Sequence, residues 1–328
     1  MSSHVDVNIW CLTYNHSKYI RQTLDGFFMQ KTNFSWNIIL FDDASTDGNQ
    51  EIIKEYINKY PDKFIAILSE ENYYSKGKPK LPIIIPYFTG KYIASCEGDD
   101  YWTDPYKLQK QYDIMEANPQ YSACYHNIIP IDKNGNIHSN YRSYPYRKEH
   151  IFDKAQLDLL QLPGQTATRF MRNVYTKLPP HALQSFINCK MYGDIKYALL
   201  LAQYGDIFYL EDAMTARRSV GDEGDSYTAK IHRGEINTYI QRYNTYTEMQ
   251  HMLKNAFNKD FDPFTYKCDL LINLLYQACI SRSIYKLKTF FTLLTQKDYP
   301  LLQKLVYIFS KFIKFISSNV LKTLRIKK

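Results

Sequence analysis

The first third of the chain alternates short apolar runs with segments whose apolar residues recur every three to four positions. The runs predict buried strands, and the spacing between them predicts amphipathic helices. Because strands that alternate with helices form βαβ units, we predict an α/β fold with a mainly parallel central sheet and flanking helices. The four runs are Val7–Thr13, Trp36–Asp43, Lys63–Ser69 and Gly90–Cys96.

Capping residues suggest where two of the helices begin. Thr46 and Asp47 are N-cap candidates after the second run, and Asp104 followed by Pro105 predicts a helix that ends near Asn118.

Beyond this part the pattern is less regular and becomes helical after Tyr227. We therefore predict a catalytic domain over residues 1–228 and a C-terminal helical region over 229–328. Between them we expect loops over 129–149, a strand within 166–175, a helix ending at Leu201 and a strand beyond Gly205.

Polar side chains follow three of the predicted strands directly. They are the groups Thr13-Tyr14-Asn15, Asp42-Asp43 and Glu97-Gly98-Asp99-Asp100. In any one loop such residues are ordinary turn formers. Ligands of parallel α/β sheets bind outside the carboxyl ends of the strands, however, so three such loops together predict a ligand site.

Composition narrows the classes of partner and compartment. The chain has 328 residues, a 45% hydrophobic fraction and a formal charge of +8, which excludes a disordered chain and suggests an anionic partner. Its six cysteines are scattered without a C-x-x-C pair, as expected for buried thiols in a reducing cytoplasm. We also expect no secretory signal and no membrane-spanning segment.

The tail, residues 301–328, contains lysines and an arginine but no acid. Its apolar residues fall near one helical face, which is typical of a basic amphipathic helix on an anionic membrane. A helix that packs on the protein or on a second copy is the alternative. We predict a cytoplasmic protein that is peripheral on the inner face of the plasma membrane.

Four segments together resemble one enzyme family. Over roughly residues 5–225 the chain is similar to the family 2 inverting glycosyltransferases of GT-A fold, especially bacterial enzymes that build capsular or lipid-linked surface polysaccharides. The segments are LTYNHSKYIRQTLDGFFMQ, ILFDDASTDG, GKYIASCEGDDYWTDPYKLQKQ and GDIKYALLLAQYGDIFYLEDAMTARR.

The resemblance implies an activity and a cofactor. It implies transfer of a hexose or N-acetylhexosamine from a nucleotide diphosphate donor, a UDP-sugar, to a saccharide or lipid-linked acceptor. Glu97, Asp99 and Asp100 take the place of the family's Asp-x-Asp motif. By resemblance, Glu97 and Asp99 contact the nucleotide sugar, while Asp99 and Asp100 bind Mn²⁺ or Mg²⁺, hard cations that prefer oxygen ligands.

Further roles follow from the same resemblance. Asp194 matches the general base that takes the proton of the acceptor hydroxyl. Asp43 matches the residue that binds uracil N3–H, and Arg218 matches an arginine that precedes a Gly-rich segment, here residues 219–227. The remaining nucleotide-sugar residues by resemblance are Thr13, Tyr14, Asn15, Asp42 and Asn72.

Simpler explanations stay open for several of these residues. Asp42, Asp43 and Asp194 could each cap a helix. Which basic residue meets the diphosphate, Lys76, Lys78 or neither, is also open.

For the whole chain, the alternative is a non-catalytic nucleotide-sugar or glycan-binding module on the same fold. We predict no nucleic-acid partner, because the clearest basic cluster lies on an apolar-faced helix.

Overall fold

The computed structural model describes residues 5–137, 150–152, 162–219 and 235–311, together with Lys230 and Arg233. Two compact units are present, residues 1–188 with 192–221 and residues 189–191 with 222–328. The sequence-based boundary at residue 228 stays a prediction, since residues 220–229 lie outside the described part, as does most of the segment 219–227.

The first unit contains one sheet and its flanking helices. Its strands are β1 Val7–Thr13, β2 Trp36–Asp42, β3 Phe64–Leu68, β4 Tyr92–Glu97, β5 Tyr101–Trp102, β6 Tyr121–Ile131, β7 His150–Phe152, β8 Phe170–Arg172 and β9 Asp206–Arg218. Its helices are α1 Ile20–Phe28, α2 Asn49–Lys59, α3 Leu81–Ile84, α4 Lys107–Ala117, α5 Pro180–Asn188 and α6 Gly193–Leu201.

The strand order is β3-β2-β1-β4-β8-β6-β9-β5, with β7 paired to β9. The first four strands are mutually parallel, and β6 pairs parallel to β9. Every residue of β2 is buried, as expected for a strand covered by helices on both faces. The predicted α/β fold, a central sheet with flanking helices, is confirmed, and β8, β5 and β7 add antiparallel pairs to the sheet.

Three sequence predictions were wrong in detail. The loops expected over 129–149 begin later than predicted, because β6 continues to Ile131 along β9; residues 138–149 lie outside the described part. The strand expected within 166–175 is present as β8, which is short and lies between two 3-10 turns. Helix α2 begins after Gly48 in a left-handed conformation, and α4 begins two residues beyond Pro105.

The second unit is helical, as predicted for the C-terminal region. It comprises α7 Ile236–Phe257, α8 Phe264–Ile280, α9 Ile284–Leu294 and a further helix over residues 301–311. Tyr243, Met249, Leu271 and Leu274 lie in its core with no exposed surface. Of the helices that the structure describes, none is both long enough and apolar enough to cross a membrane.

Candidate active site

The loops that follow β1, β2 and β4 meet at one edge of the sheet. The Asp43 backbone N–H donates to the Thr13 carbonyl at 3.0 Å, and the Gly98 N–H donates to the Leu12 carbonyl at 2.9 Å. The three polar groups found in the sequence are therefore neighbours, as their position after parallel strands predicted.

A close backbone approach holds the first and third loops together. A Cβ atom on Gly98 would lie only 2.5 Å from Thr13 Oγ1, so glycine is required at this position. The same Thr13 hydroxyl accepts a hydrogen bond from Asn49 Nδ2 at 3.0 Å. Thr13 is 3% exposed and thus forms part of the floor beneath this edge.

Asp42 is buried and fully engaged in the start of α2. Its two carboxylate oxygens accept hydrogen bonds from Ser45 N and Oγ, from Asn49 Nδ2 and from Gln50 Nε2, at 2.6–2.9 Å. Four donors exhaust the oxygens of a carboxylate. The geometry thus favours the structural alternative for Asp42 over contact with a ligand.

Asp43 holds the loop that follows β3. The Tyr73 N–H donates to Oδ1 at 2.6 Å, the Tyr74 N–H donates to Oδ2 at 3.1 Å, and Lys80 Nζ lies 2.8 Å from Oδ2. Asn72 Nδ2 donates to the Asp43 carbonyl at 3.1 Å. Asp43 therefore anchors Asn72 and the loop after β3, and its Oδ1 keeps a lone pair for a further donor.

The basic residues of this loop divide into two groups. Lys76 and Lys78 both pair with Glu71, at 2.6 and 2.7 Å. Lys80, which sequence reasoning missed, is the lysine beside Asp43. Its separation from Asp43 along the chain left no local signal that could have revealed this pair.

Tyr14 and Asn15 complete the first loop. Tyr14 is 45% exposed, so its ring is available to pack against a ligand. Asn15 adopts φ +53°, and its side chain and backbone bond Thr46 N and Ser45 Oγ at 2.8 Å each. Asn15 therefore ties the first loop to the second.

The acids after β4 share a recess and repel one another. Glu97 keeps some contact with solvent but is surrounded by protein atoms. Loss of hydration is the main reason that its pKa is raised, and the negative charges of Asp99 and Asp194 raise the pKa further. Burial, with Asp99 and Glu97, also raises the pKa of Asp100 well above its usual range. Asp99 is partly exposed, with Oδ2 3.9 Å from His16 Nε2. Bringing a cation here would relieve this repulsion.

Arg218 fastens the end of β9 to the acidic loop. Its backbone N–H donates to Asp100 Oδ1 at 2.7 Å and its Nε donates to the Asp99 carbonyl at 3.0 Å. The guanidinium also bonds Gln22 Oε1 at 2.9 Å and lies 4.1 Å from the Tyr19 ring centre. Arg218 thus reaches the predicted site but uses most of its donors on protein groups.

Asp194 lies in the first turn of α6, near the acidic recess. The helix is capped by Tyr192, so Asp194 is not its N-cap. Its Oδ1 accepts a hydrogen bond from the Thr166 hydroxyl at 2.6 Å, a partner that sequence reasoning also missed. Thr166 belongs to the turn that leads into Arg169, whose carbonyl accepts a hydrogen bond from the Ser95 N–H of β4 at 2.9 Å, two residues before Glu97. Asp194 is thus held beside the strand that ends in Glu97, and its charge contributes to the raised pKa of Glu97.

A divalent cation fits this recess only with help from a ligand. Within the described residues, no group of three or more His, Cys, Asp or Glu side chains could hold a metal ion by itself. Mg²⁺ and Mn²⁺, however, take one or two protein carboxylates together with phosphate oxygens and water. Asp99 and the unbonded oxygen of Asp100 supply that smaller set.

Comparison with known proteins agrees with this geometry. The model of glycosyl transferase family 2 matches residues 11–175 of this chain. In fold the chain is similar to Staphylococcus aureus TarS 1-349, solved in complex with UDP-GlcNAc, with a TM-score of 0.57 and 16% identity over 88% of this chain and 80% of that one.

Two relatives are similar to this chain in sequence over less than half of its length. An uncharacterized Mycobacterium tuberculosis protein, Rv1520, is 38% identical over 147 residues, which are 45% of this chain and 42% of that protein. The putative teichuronic acid biosynthesis glycosyltransferase TuaG of Bacillus subtilis is 28% identical over 133 residues, 39% of this chain and 51% of TuaG. The chain thus spans about half the length of these relatives.

Proposed function

The chain belongs to glycosyl transferase family 2, and on that premise we propose that it is an inverting, metal-dependent glycosyltransferase. It moves a hexose or N-acetylhexosamine from a UDP-linked donor to a saccharide or lipid-linked acceptor in surface polysaccharide synthesis. The observation that carries the proposal is the hydrogen bond from Thr166 that holds Asp194 beside β4, the strand that ends in Glu97 and leads into Asp99 and Asp100.

The proposed chemistry assigns the proton and both bonds. Asp194 takes the proton of the acceptor hydroxyl while that oxygen forms a bond to the anomeric carbon. The bond from this carbon to the diphosphate oxygen breaks on the opposite face, so the configuration inverts. The hydrogen bond from Thr166 at 2.6 Å orients the Asp194 carboxylate and leaves its other oxygen for the acceptor.

The donor end of the site uses the three loops. The base packs against Tyr14, and the free lone pair on Asp43 Oδ1 accepts a base N–H. Asp99 and Asp100 would hold Mn²⁺ or Mg²⁺, which would stabilise charge on the leaving diphosphate as a Lewis acid. UDP is the first nucleotide to test because TarS is similar in fold and was solved with UDP-GlcNAc.

The acceptor and the location of the reaction complete the proposal. TuaG is named for teichuronic acid biosynthesis, which supports a glycan acceptor. An acceptor attached to a lipid would place the reaction at the cytoplasmic face of the membrane.

Calorimetric titration tests the donor site. UDP, GDP and CDP are titrated into the wild type with Mn²⁺ and with a chelator, and into Asp99→Asn. Asp99 is a better choice than Asp100, whose buried carboxylate bonds Arg218. We expect UDP to bind only with metal and only weakly to Asp99→Asn, whereas Asp113→Asn, an exposed change on α4, behaves as wild type. Absence of nucleotide binding under all conditions would refute the proposal.

Turnover distinguishes the enzyme from a binding module. Asp194→Asn keeps the Thr166 contact but cannot accept the proton, so we expect turnover to fall about 10²–10⁴-fold with UDP affinity unchanged. The assay is release of UDP from a panel of UDP-sugars with glycan acceptors. A wild type that binds UDP-sugars, turns none over and is unaffected by Asp194→Asn would support the non-catalytic module.

A further inference from the structure

The helix over residues 301–311 carries its apolar side chains outward. Five of its eleven residues are large, apolar and exposed, and Leu302 and Phe309 are 74% and 65% accessible. At about 100° per residue these positions share one continuous face of the helix. The five are Leu301, Leu302, Leu305, Val306 and Phe309.

The opposite face of this helix is polar and packs against the rest of the second unit. Lys304 has no exposed surface, and its Nζ donates to Asp298 Oδ1 at 2.6 Å and to the Tyr243 hydroxyl at 3.1 Å. One turn on, the Tyr307 hydroxyl donates to Asp269 at 3.2 Å. The helix therefore reverses the usual arrangement of a soluble protein, in which lysine is exposed and leucine is buried.

The buried lysine fixes the rotation of the helix about its axis. Lys304 also donates to the carbonyls of Leu294 and Gln296, at 3.1 and 2.9 Å, so its four acceptors all belong to other segments of the second unit. Turning the apolar face inward would remove these bonds and leave a charge to be solvated elsewhere. The exposed face is thus a fixed property of the fold.

We infer that this face inserts into the interface of an anionic lipid bilayer. Charge selects this occupant, because beyond the buried Lys304 the sequence from 305 to 328 contains six basic residues and no acidic one. Anionic headgroups attract such a segment, while its apolar face enters the acyl boundary. Two copies of the chain meeting through this face would instead bring like charges together. The inference does not depend on the proposed transferase activity.

A vesicle sedimentation assay on the full chain tests the inference. Wild type is mixed with phosphatidylcholine vesicles, with and without phosphatidylglycerol, and compared with Leu302→Asp/Phe309→Asp. The matched control, Gln303→Asp/Ser310→Asp, adds the same charge to exposed positions of the same helix outside the apolar face. Circular dichroism and light scattering establish that each variant is folded and report its oligomeric state.

We expect wild type and control to bind anionic vesicles, with the control weakened by its charge alone. The apolar-face variant should bind at least about tenfold more weakly than the control, because it also loses two inserted side chains. Equal binding by both variants, or no binding by wild type, would overturn the inference. Loss of a wild-type dimer in the apolar-face variant, without vesicle binding by wild type, would assign the face to a second copy.

Discussion

Lys107 is a buried amine in the first turn of α4 that the proposed reaction does not use. Its side chain has no exposed surface, and among the described residues its Nζ finds no hydrogen-bond partner. It lies 4.0 Å from the centre of the Trp102 ring. The pKa of Lys107 is lowered from 10.5 to about 7, mainly by loss of hydration. Interaction with Cys96 and Cys124 raises this pKa and offsets only part of the effect.

This pKa makes stability depend on pH in a defined direction. Between pH 7 and 10.5 the unfolded chain keeps the Lys107 proton and the folded chain releases it, so stability rises with pH through this window. The destabilisation by Lys107 is about 4 kcal/mol at pH 7 and about 2 kcal/mol at pH 9. Methionine fills a similar space without a charge, so Lys107→Met should remove this destabilisation.

Denaturant unfolding followed by tryptophan fluorescence measures this effect. The three tryptophans, Trp10, Trp36 and Trp102, all lie in the unit that contains Lys107. Other groups titrate in the same range, so the informative quantity is the difference between Lys107→Met and wild type at each pH.

We expect that difference to favour Lys107→Met by about 4 kcal/mol at pH 7 and to shrink by about 2 kcal/mol at pH 9. Lys54→Met, an exposed change on α2, should give a small difference that does not vary. A difference for Lys107→Met that stays constant with pH would refute the reasoning.

Three substitutions at the sheet edge have distinct expected outcomes. Gly98→Ala forces a Cβ against Thr13, so we expect a loss of about 1–3 kcal/mol in denaturant unfolding together with weaker UDP binding; wild-type values for both would contradict the close approach. Asp42→Ala removes the shared acceptor of four buried or half-buried donors and should cost about 2–3 kcal/mol, and a cost below about 1 kcal/mol would show that the loop repacks. Arg218→Lys loses the planar guanidinium that bonds the Asp99 carbonyl and Gln22, so we expect about 2 kcal/mol of destabilisation in thermal unfolding. Wild-type stability in this variant would show that the guanidinium contacts are unimportant.

The first four strands could be predicted because their sequences are largely apolar runs, which in β1, β2 and β4 are buried on both faces and in β3 are half-buried. The run of β2, WNIILFD, is broken only by Asn37 before its final Asp42. The strand β6 was not among the predicted strands, since its buried polar residues interrupt the apolar pattern. Ser122 and His126 in this strand can be buried because β9 and the turn before it supply hydrogen-bond partners. These partners lie far away in the sequence.

The candidate site was predictable in location but not in the division of roles. Asp42 and Asp43 are identical and adjacent, yet successive residues at a strand end point to opposite sides. Asp42 consequently meets the start of α2, while Asp43 meets the loop after β3. Lys80 and Thr166 contact the site from distant segments and carry no motif, so only the fold could identify them.

The residues at this edge fall into two physical groups. Asp42 and Arg218 spend most of their hydrogen-bonding capacity on the protein, so they define the shape of the recess. Tyr14, Asp99 and Asp194 keep accessible surface and unused hydrogen-bonding capacity. A ligand can therefore contact them directly.

Substitution in the first group should therefore lower stability and UDP affinity together. Substitution in the second should change affinity or turnover while unfolding stays close to wild type, because water already solvates those side chains. A survey in which the two groups gave the same joint change would mean that the recess is part of the core. The ligand site would then have to lie elsewhere in the first unit.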